Sequence, residues 1–455
     1  MANNLEVSKE PQQCSLKRVI GQRMLLFFVL GDILGAGIYV LVGKVAGHVG
    51  GMLWLPFFLA FVLALLTAAA YSELAGKYSQ AAGAALYINK AFGIPFVTFI
   101  VAFAVMMSGV TSAGVAAQAF GGRYLAEFVS LPMIAGALIF LGLVTLVNFV
   151  GISESVKVNV TLTVIEGSGL LVIIAIGIYA LLTGGGEPSR ALEFRPGGGA
   201  FLGVLQGTAL AFYALLGFED SVNLAEETKD PARDFPYALF GGVMMAALIY
   251  IAVAFTATML VDTQTLMQSS GPLLEVVKVA GLAFPPKLFA LIALFAVANT
   301  ALMNMIMASR LVYGMARQRV VPGFLASVHS SRGTPWVAIL FTTAIAIVLV
   351  ATGDIGGLAD TTVLLLLCVF ALVNISVLVL RRDRVSHEHF RAPTWMPVLG
   401  AGVCLILALP ITGRDTAVYM RVGVLIAIGV VLWFINRLCV GKVKELDATQ
   451  IMSGD

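Results

Sequence analysis

Long apolar runs, repeated along almost the whole chain, are the feature that most constrains how this sequence can fold. A helix that crosses the hydrocarbon core of a bilayer needs about 20 apolar residues, and runs of that length are separated here only by short Gly-, Pro- or charge-containing stretches. Of the 455 residues, 59% are hydrophobic and 12% are charged, about half the charged share of an average soluble domain. The sequence therefore predicts an all-α integral membrane protein.

The apolar runs predict about twelve transmembrane helices. They lie near 24–46, 52–76, 88–120, 131–150, 157–183, 200–225, 236–261, 282–317, 336–353, 360–380, 395–413 and 417–439. Predicted helices 3 and 8 are longer than the membrane requires, which indicates tilt or extension into water. The tails at 1–23 and 441–455 hold no further span.

The distribution of basic residues predicts that both termini are cytoplasmic, because Lys and Arg collect on the cytoplasmic side of membrane proteins. With the N-terminus inside, only eight of the 28 lysine and arginine residues fall on the outer side. These are Lys44, Arg123, Arg190, Arg195, Lys278, Lys287, Arg414 and Arg421. The loop 184–199 is then extracellular, and the plasma membrane is the expected location.

Composition and motifs argue against several other classes of protein. The basic residues form no stripe with aromatic residues between them, so no nucleic-acid partner is expected. The four cysteines lack metal-ligand spacing, and neither a metal site nor a disulfide is predicted. No nucleophile with a positioned base and no nucleotide-binding loop occurs, so we expect no enzyme, no cofactor and no direct use of ATP. The polar first 23 residues do not resemble a cleaved signal peptide.

Two of the predicted spans are interrupted by Gly and acidic residues at mid-membrane depth. In predicted helix 1, residues 31–39 read Gly-Asp-Ile-Leu-Gly-Ala-Gly-Ile-Tyr, and in predicted helix 6, residues 212–220 read Phe-Tyr-Ala-Leu-Leu-Gly-Phe-Glu-Asp. Backbone groups freed by an unwound segment must be satisfied by protein, water or a ligand, so such breaks imply a cavity. The alternative is a purely structural role, in which Gly35 and Gly37 only allow close helix packing.

The chemistry of two broken helices suits a zwitterion. The half-helix that begins after a break presents free N–H groups and a positive dipole end to a carboxylate, whereas the carbonyls that end the preceding half suit an ammonium group. The breaks fall in predicted helices 1 and 6, which occupy corresponding places if helices 1–5 and 6–10 are repeats. That arrangement is typical of inverted-repeat transporters, whose sites lie between the repeats.

Three stretches resemble the amino acid/polyamine/organocation (APC) transporter superfamily, and the resemblance runs from predicted helix 1 through helix 10. The stretches are 35–39 (Gly-Ala-Gly-Ile-Tyr), 212–219 followed by 226–231 (Glu-Glu-Thr-Lys-Asp-Pro), and 309–317 (Ser-Arg-Leu-Val-Tyr-Gly-Met-Ala-Arg) closed by Pro322. The resemblance implies a five-plus-five inverted repeat with discontinuous helices 1 and 6, a LeuT-like fold. The repeats would occupy 24–183 and 200–381, and 382–440 would hold helices 11 and 12 with their preceding loop.

The resemblance also implies where a substrate binds. Its carboxylate would meet the backbone of Ala36 and Gly37, its amine would meet carbonyls near Ile33 and Phe212, and Tyr213 would form an aromatic gate. The expected substrate-binding residues are Ile33, Gly35, Ala36, Gly37, Phe212, Tyr213, Gly217, Ser108 and Asn304.

Three acids lie well inside predicted spans: Asp32, Glu166 and Glu219. A charged acid at mid-bilayer costs roughly 2.5–3.5 kcal/mol on insertion scales, so such residues are usually functional. Each is a candidate proton carrier, while Asp32 also suits a cationic amine and Glu166 an inorganic cation. Structural alternatives remain for each, such as Glu219 accepting hydrogen bonds within its helix break. Relatives often have a Lys where Glu166 stands, so the coupling ion does not follow from the resemblance.

The leading hypothesis is secondary active transport of an amino acid or related amine by alternating access, coupled to protons or to exchange. The in-span acids favour cationic amino acids or polyamines over acidic ones. The alternative is a receptor or scaffold that keeps the fold and binds ligand without moving it. A channel is disfavoured because its lining would need more polar residues than these spans supply.

Overall fold

The computed structural model describes residues 18–80, 83–151, 156–195, 199–281 and 284–440. Within these ranges the chain is helical and contains isolated backbone bridges but no β-strand. The helices are α1 (Gln22–Ile33), α2 (Ala36–Val49), α3 (Trp54–Lys77), α4 (Gly83–Phe92), α5 (Pro95–Ala119), α6 (Met133–Val150), α7 (Val156–Thr183), α8 (Ala200–Ala214), α9 (Pro231–Leu260), α10 (Thr263–Gln268), α11 (Pro272–Ala280), α12 (Pro286–Arg317), α13 (Trp336–Thr352), α14 (Ile355–Leu380), α15 (Trp395–Ala408) and α16 (Thr416–Val440). The tails at 1–17 and 441–455 lie outside the described residues.

Eight helices in the described part are long and apolar enough to cross a bilayer, namely α3, α5, α6, α7, α9, α12, α14 and α16. Helices α1 and α2 together form a further candidate span that is bent by 43°, and α8, α13 and α15 are shorter apolar helices. Large apolar side chains such as Leu182, Phe201 and Leu438 are 79–86% exposed. Such surfaces suit contact with lipid rather than water, as expected of a multi-pass membrane protein.

The helices are interrupted in both places where the sequence predicts a break. Helix α1 ends at Ile33 and α2 begins at Ala36, because Gly35 has a non-helical ψ of −157°. Helix α8 ends at Ala214, and Gly217 has φ = +118°, a region that essentially only glycine occupies. A short 3₁₀ turn, Asp220–Leu224, follows the second break.

Several predicted boundaries are wrong, each for a local reason. Predicted helix 3, near 88–120, is two helices, because Gly93 has φ = +62° and Pro95 starts α5. Predicted helix 11, near 395–413, ends at Ala408 before a 3₁₀ turn that begins at Pro410. Predicted helix 10 begins earlier than residue 360, because the Asp354 carboxylate caps the first turn of α14. Predicted helix 8, near 282–317, begins at Pro286, and residues 282–283 lie outside the described part.

The helices adjoining the two breaks occupy the interior of the bundle. Helix α1 packs on α9 and α7, α2 packs on α8, and α5 packs on both α12 and α14. These packing contacts bring both breaks together at the middle of the bundle.

We call the face where α1 begins the N-terminal face. There Ile20 exchanges backbone hydrogen bonds with the segment around Thr228, and Arg381 pairs with Glu73 at 2.7 Å.

Candidate functional site

The first break, between α1 and α2, is stabilised by side chains from distant helices. The Ala36 N–H donates to Oγ1 of Thr300 on α12 over 2.9 Å. The carbonyl of Ile33 accepts from the hydroxyl of Tyr250 on α9 over 2.5 Å. Because buried backbone groups must find partners, α9 and α12 are part of the architecture of this break.

The second break, after α8, is stabilised by its own residues. The N–H groups of Leu215 and Leu216 donate back to the carbonyls of Phe212 and Tyr213 over 3.0 and 3.2 Å. The Gly217 N–H donates to Oε2 of Glu219, only two residues further on, over 2.9 Å. Glu219 therefore caps the unwound turn, as the structural alternative for this acid predicts.

The two breaks contact each other at glycines, in positions where neighbouring atoms leave no room for a side chain. A Cβ built on Gly217 would lie 2.6 Å from the backbone oxygen of Asp32, and one on Gly37 would lie 2.6 Å from Cα of Ala214. A Cβ on Gly35 would lie 2.5 Å from Oγ1 of Thr300. The absence of side chains on Gly37 and Gly217 lets the two broken segments approach, and its absence on Gly35 leaves room for the Thr300 hydroxyl.

A cavity of about 280 Å³ lies between the breaks. It extends toward the N-terminal face along α12 as far as Arg310 and Leu311, and it includes Asn223 and Leu224 of the 3₁₀ turn. Its walls also include the apolar side chains of Met303 and Met307. A largely apolar cavity with a few convergent polar groups is the usual form of a small-molecule site.

A polar cluster lies on the wall of the cavity. The hydroxyl of Tyr213 on α8 is hydrogen-bonded to Oγ of Ser112 on α5 over 2.8 Å. The side-chain amide of Asn304 on α12 donates to Thr300 O over 2.8 Å and approaches Ser112 Oγ at 3.4 Å. Three helices, α5, α8 and α12, therefore meet at this part of the cavity wall.

The charged residues that line the cavity are mostly acidic. Asp32, Glu219 and Asp220 are among its lining residues, and Arg310 is the arginine there. Carboxyl groups that face the cavity can pair with a cationic group of a ligand, and an ionised carboxylate repels a ligand with net negative charge. Among the described residues, no group of three or more His, Cys, Asp or Glu is arranged to hold a metal ion.

Ten of the twelve residues expected from the sequence line this cavity, and two lie outside its wall. Those around it are Asp32, Ile33, Gly35, Ala36, Gly37, Ser108, Tyr213, Gly217, Glu219 and Asn304. Phe212 is fully buried and packs edge-on against Phe370 with ring centroids 6.0 Å apart. Two carbonyls expected to meet an amine, those of Ile33 and Phe212, already accept protein hydrogen bonds.

Glu166 lies behind the cavity wall. It is fully buried in α7, and its Oε1 accepts from Nδ2 of Asn299 over 3.0 Å, while Oε2 has no hydrogen-bond partner in the described part of the chain. The Tyr39 hydroxyl donates to the Glu166 backbone carbonyl. Asn299 itself lines the cavity, so one side chain separates this acid from the ligand space.

Sequence reasoning missed the polar residues that bring α12 and α9 into the site. Thr300 stands four residues before Asn304 on the same apolar helix, a spacing that places both on one helix face; Asn299 directly precedes Thr300. That periodicity was a usable signal. Ser112 and Tyr250 had no such signal, because their partners, the Tyr213 hydroxyl and the Ile33 carbonyl, belong to other helices.

Comparison with known proteins identifies the family of this chain. Residues 20–435 match the model of the amino acid permease family. A branched-chain amino acid permease of Bacillus subtilis is 26% identical over 92% of this chain and 93% of its own length. A methylthioribose transporter of the same organism is 25% identical, covering 92% and 95% of the two chains. Cationic amino acid transporter 9 of Arabidopsis thaliana, a chloroplastic protein, is 28% identical over 69% of this chain and 58% of its own. The chain belongs to the amino acid permease family, within the APC superfamily.

Proposed function

We propose that this permease is a secondary active transporter that carries an amino acid across the membrane by alternating access. The observation that supports it best is the pair of broken helices in contact at mid-depth, with a cavity between them. Irregular backbone inside a bilayer is tolerated where it lines a cavity or is buried in protein. A substrate that forms hydrogen bonds with the remaining backbone N–H and C=O groups of the breaks gives the breaks a function.

The proposed topology has twelve spans and a five-plus-five inverted repeat at 24–183 and 200–381. The protein lies in the plasma membrane, and both of its termini are cytoplasmic. The eight long helices, the bent α1–α2 pair and the three shorter apolar helices can supply this number. With this topology the N-terminal face is cytoplasmic. The end of the cavity near Arg310 then points toward the cytoplasm.

The proposed recognition of the substrate uses the two ends of a zwitterion. Ala36 N–H is already bonded to Thr300, so the carboxylate is left with the other first-turn donors of α2, beginning at Gly37. The ammonium group is placed near the carboxylate of Asp32, which lines the cavity. Backbone recognition of this kind is independent of the substrate side chain.

The acidic lining favours neutral and cationic amino acids over acidic ones, and cationic amino acids or related amines are the narrower candidate. The Arabidopsis relative is a cationic amino acid transporter, and the first Bacillus relative is a branched-chain permease. Both names fit a cavity with carboxylates and with apolar side chains such as Met303 and Met307. For coupling we propose a proton, with Glu166 as its carrier.

Two measurements on the purified protein test this function. A thermal-shift screen against the standard amino acids and common polyamines should show stabilisation by neutral or cationic compounds and none by Asp or Glu. Radiolabelled uptake into proteoliposomes should then follow for the stabilising compound, driven by an inward proton gradient. Stabilisation without uptake or exchange would instead support the ligand-binding receptor, and stabilisation by acidic amino acids alone would contradict the proposed substrate class.

A matched pair of variants ties the result to this cavity. Gly37→Ala places a Cβ 2.6 Å from Cα of Ala214. This clash should abolish both the thermal shift and uptake. Gly402→Ala, on α15, meets nothing within 4 Å and should behave like the parent. If both variants transport equally well, the substrate does not bind between the breaks.

A further inference from the structure

Asn299 lies between a buried acid and the substrate cavity. Its Nδ2 donates to Glu166 Oε1 over 3.0 Å, its side chain is partly exposed, and it lines the cavity from which Glu166 is excluded. We propose that Asn299 is a positioning residue that relays the protonation state of Glu166 to the substrate, so that proton and amino acid bind cooperatively. This inference rests on the proposed function.

The relay follows from the two chemically different ends of an amide. An ionised carboxylate only accepts hydrogen bonds, so Asn299 turns Nδ2 toward it, as in this structure, and Oδ1 remains for the cavity. A proton on Oε1 makes that oxygen a donor, and the amide must then present Oδ1 to Glu166. A half-turn about the Asn side-chain χ2 torsion, which has broad energy wells, places Nδ2 on the cavity side.

The structure favours Oε1 as the site of that proton. Oε2 of Glu166 has no partner among the described residues, so a hydroxyl there would be buried without an acceptor. An unsatisfied buried donor is destabilising, whereas a proton on Oε1 gains Asn299 Oδ1 as its acceptor. Protonation and amide reorientation are therefore linked.

The sign of the coupling follows from the substrate carboxylate. An amide N–H facing the cavity donates to a carboxylate, whereas an amide oxygen repels it. Protonated Glu166 therefore favours zwitterion binding, and by linkage the bound zwitterion favours protonation to the same extent. A transporter with this property moves proton and substrate in the same direction.

Other titratable groups around Glu166 are already engaged or lie across the cavity. The hydroxyls of Tyr39 and Tyr250, from α2 and α9, donate to the backbone carbonyls of Glu166 and Ile33. From α1, Asp32 faces the cavity. The charges on α11, Glu275 and Lys278, pair with Arg123 and Glu127, and on α12 Arg310 lies about three turns beyond Asn299.

The experiment measures two properties of full-length protein in lipid nanodiscs on either side of neutral pH. Binding of L-leucine and of L-arginine is measured calorimetrically, and the carboxylic-acid infrared band is assigned to Glu166 with Glu166→Gln. The parent should bind roughly 10-fold tighter at acidic pH, within the usual range of coupling. Glu166→Gln should keep the tighter affinity at both pH values, because a Gln side-chain N–H replaces the protonated oxygen as donor.

Asn299→Leu separates the relay from the acid. The Glu166 infrared band should still respond to pH in this variant, while amino acid affinity should no longer change with pH. Asn148→Leu is the matched control, because Asn148 also donates to α12, at Met305 O, but does not line the cavity; it should keep the parental pH response. If Asn299→Leu does not fold, Asn299→Ala provides the same comparison.

Two results would overturn the inference, and both differ from failure of the proposed function. An Asn299 variant that retains the parental ratio of affinities would show that the pH effect reaches the cavity by another route. A Glu166 band that does not change between the two pH values would show that this acid does not titrate. Absence of amino acid binding at either pH, with either compound and in the thermal-shift screen, would instead contradict the proposed function.

Discussion

The two helix breaks face each other across one cavity, yet their unwound backbone is stabilised in different ways. Partners of the first break come from α9 and α12, through the Tyr250 hydroxyl and Thr300 Oγ1. Partners of the second come from its own turn, through short-range backbone bonds and Glu219. The first break is therefore a junction between helices, and the second is a local bend. Movement of α9 or α12 relative to α1 must disturb the first and leave the second intact.

The largest effect is expected at the point where the breaks touch. Gly217→Ala forces a non-glycine residue to φ = +118° and places a Cβ 2.6 Å from Asp32 O. Backbone strain of this kind costs about 1–3 kcal/mol, and the clash separates the two breaks. We expect a lowered thermal unfolding temperature and loss of uptake. Normal uptake by this variant would show that the breaks need not be in contact.

An intermediate effect is expected from α12. Thr300→Val keeps the shape of the side chain but leaves the Ala36 N–H without its partner, and an unsatisfied buried donor costs about 1–3 kcal/mol. Stability in denaturation and substrate affinity should both fall. Thr352→Val is the control, because among the described residues the Thr352 hydroxyl bonds only to its own helix, at Val348 O. Equal effects of the two variants would remove the distinction between the breaks.

The smallest of the three effects is expected from α9. Tyr250→Phe removes the hydroxyl that donates to Ile33 O while the ring remains packed against Phe57. A buried group left without its partner costs about 1–3 kcal/mol, and a carbonyl, with two lone pairs, tolerates this better than an N–H. Chemical denaturation should detect the change. Tyr237→Phe, half exposed on the same helix, should have no effect. Matching results for both tyrosines would show that α9 does not stabilise the first break.

Sequence reasoning succeeded where the signal lies within one segment. Glycine and acid inside an apolar run identify both breaks, because both residue types are unfavourable in an unbroken apolar span. It succeeded less well at helix ends such as Phe92 and Ala408, since apolar content continues through turns whose Gly and Pro residues alone end the helix.

The remainder of the site depends on contacts between helices far apart in sequence. Nothing local indicates that Thr300 accepts from Ala36 or that Tyr250 donates to Ile33. The same limit explains Phe212, which its motif places at the site but whose ring packs against Phe370. A residue's depth in the membrane follows from its position in the span, but the direction of its side chain depends on the neighbouring helices.

The most direct test of the account is a density map of the protein in lipid nanodiscs, saturated with the amino acid that stabilises it most. We expect density for that amino acid between Gly37 and Gly217, with its carboxylate at the first turn of α2 and with the backbone still non-helical at Gly35 and Gly217. A map with bound amino acid elsewhere, or with continuous helix through Gly35 and Gly217, would contradict it.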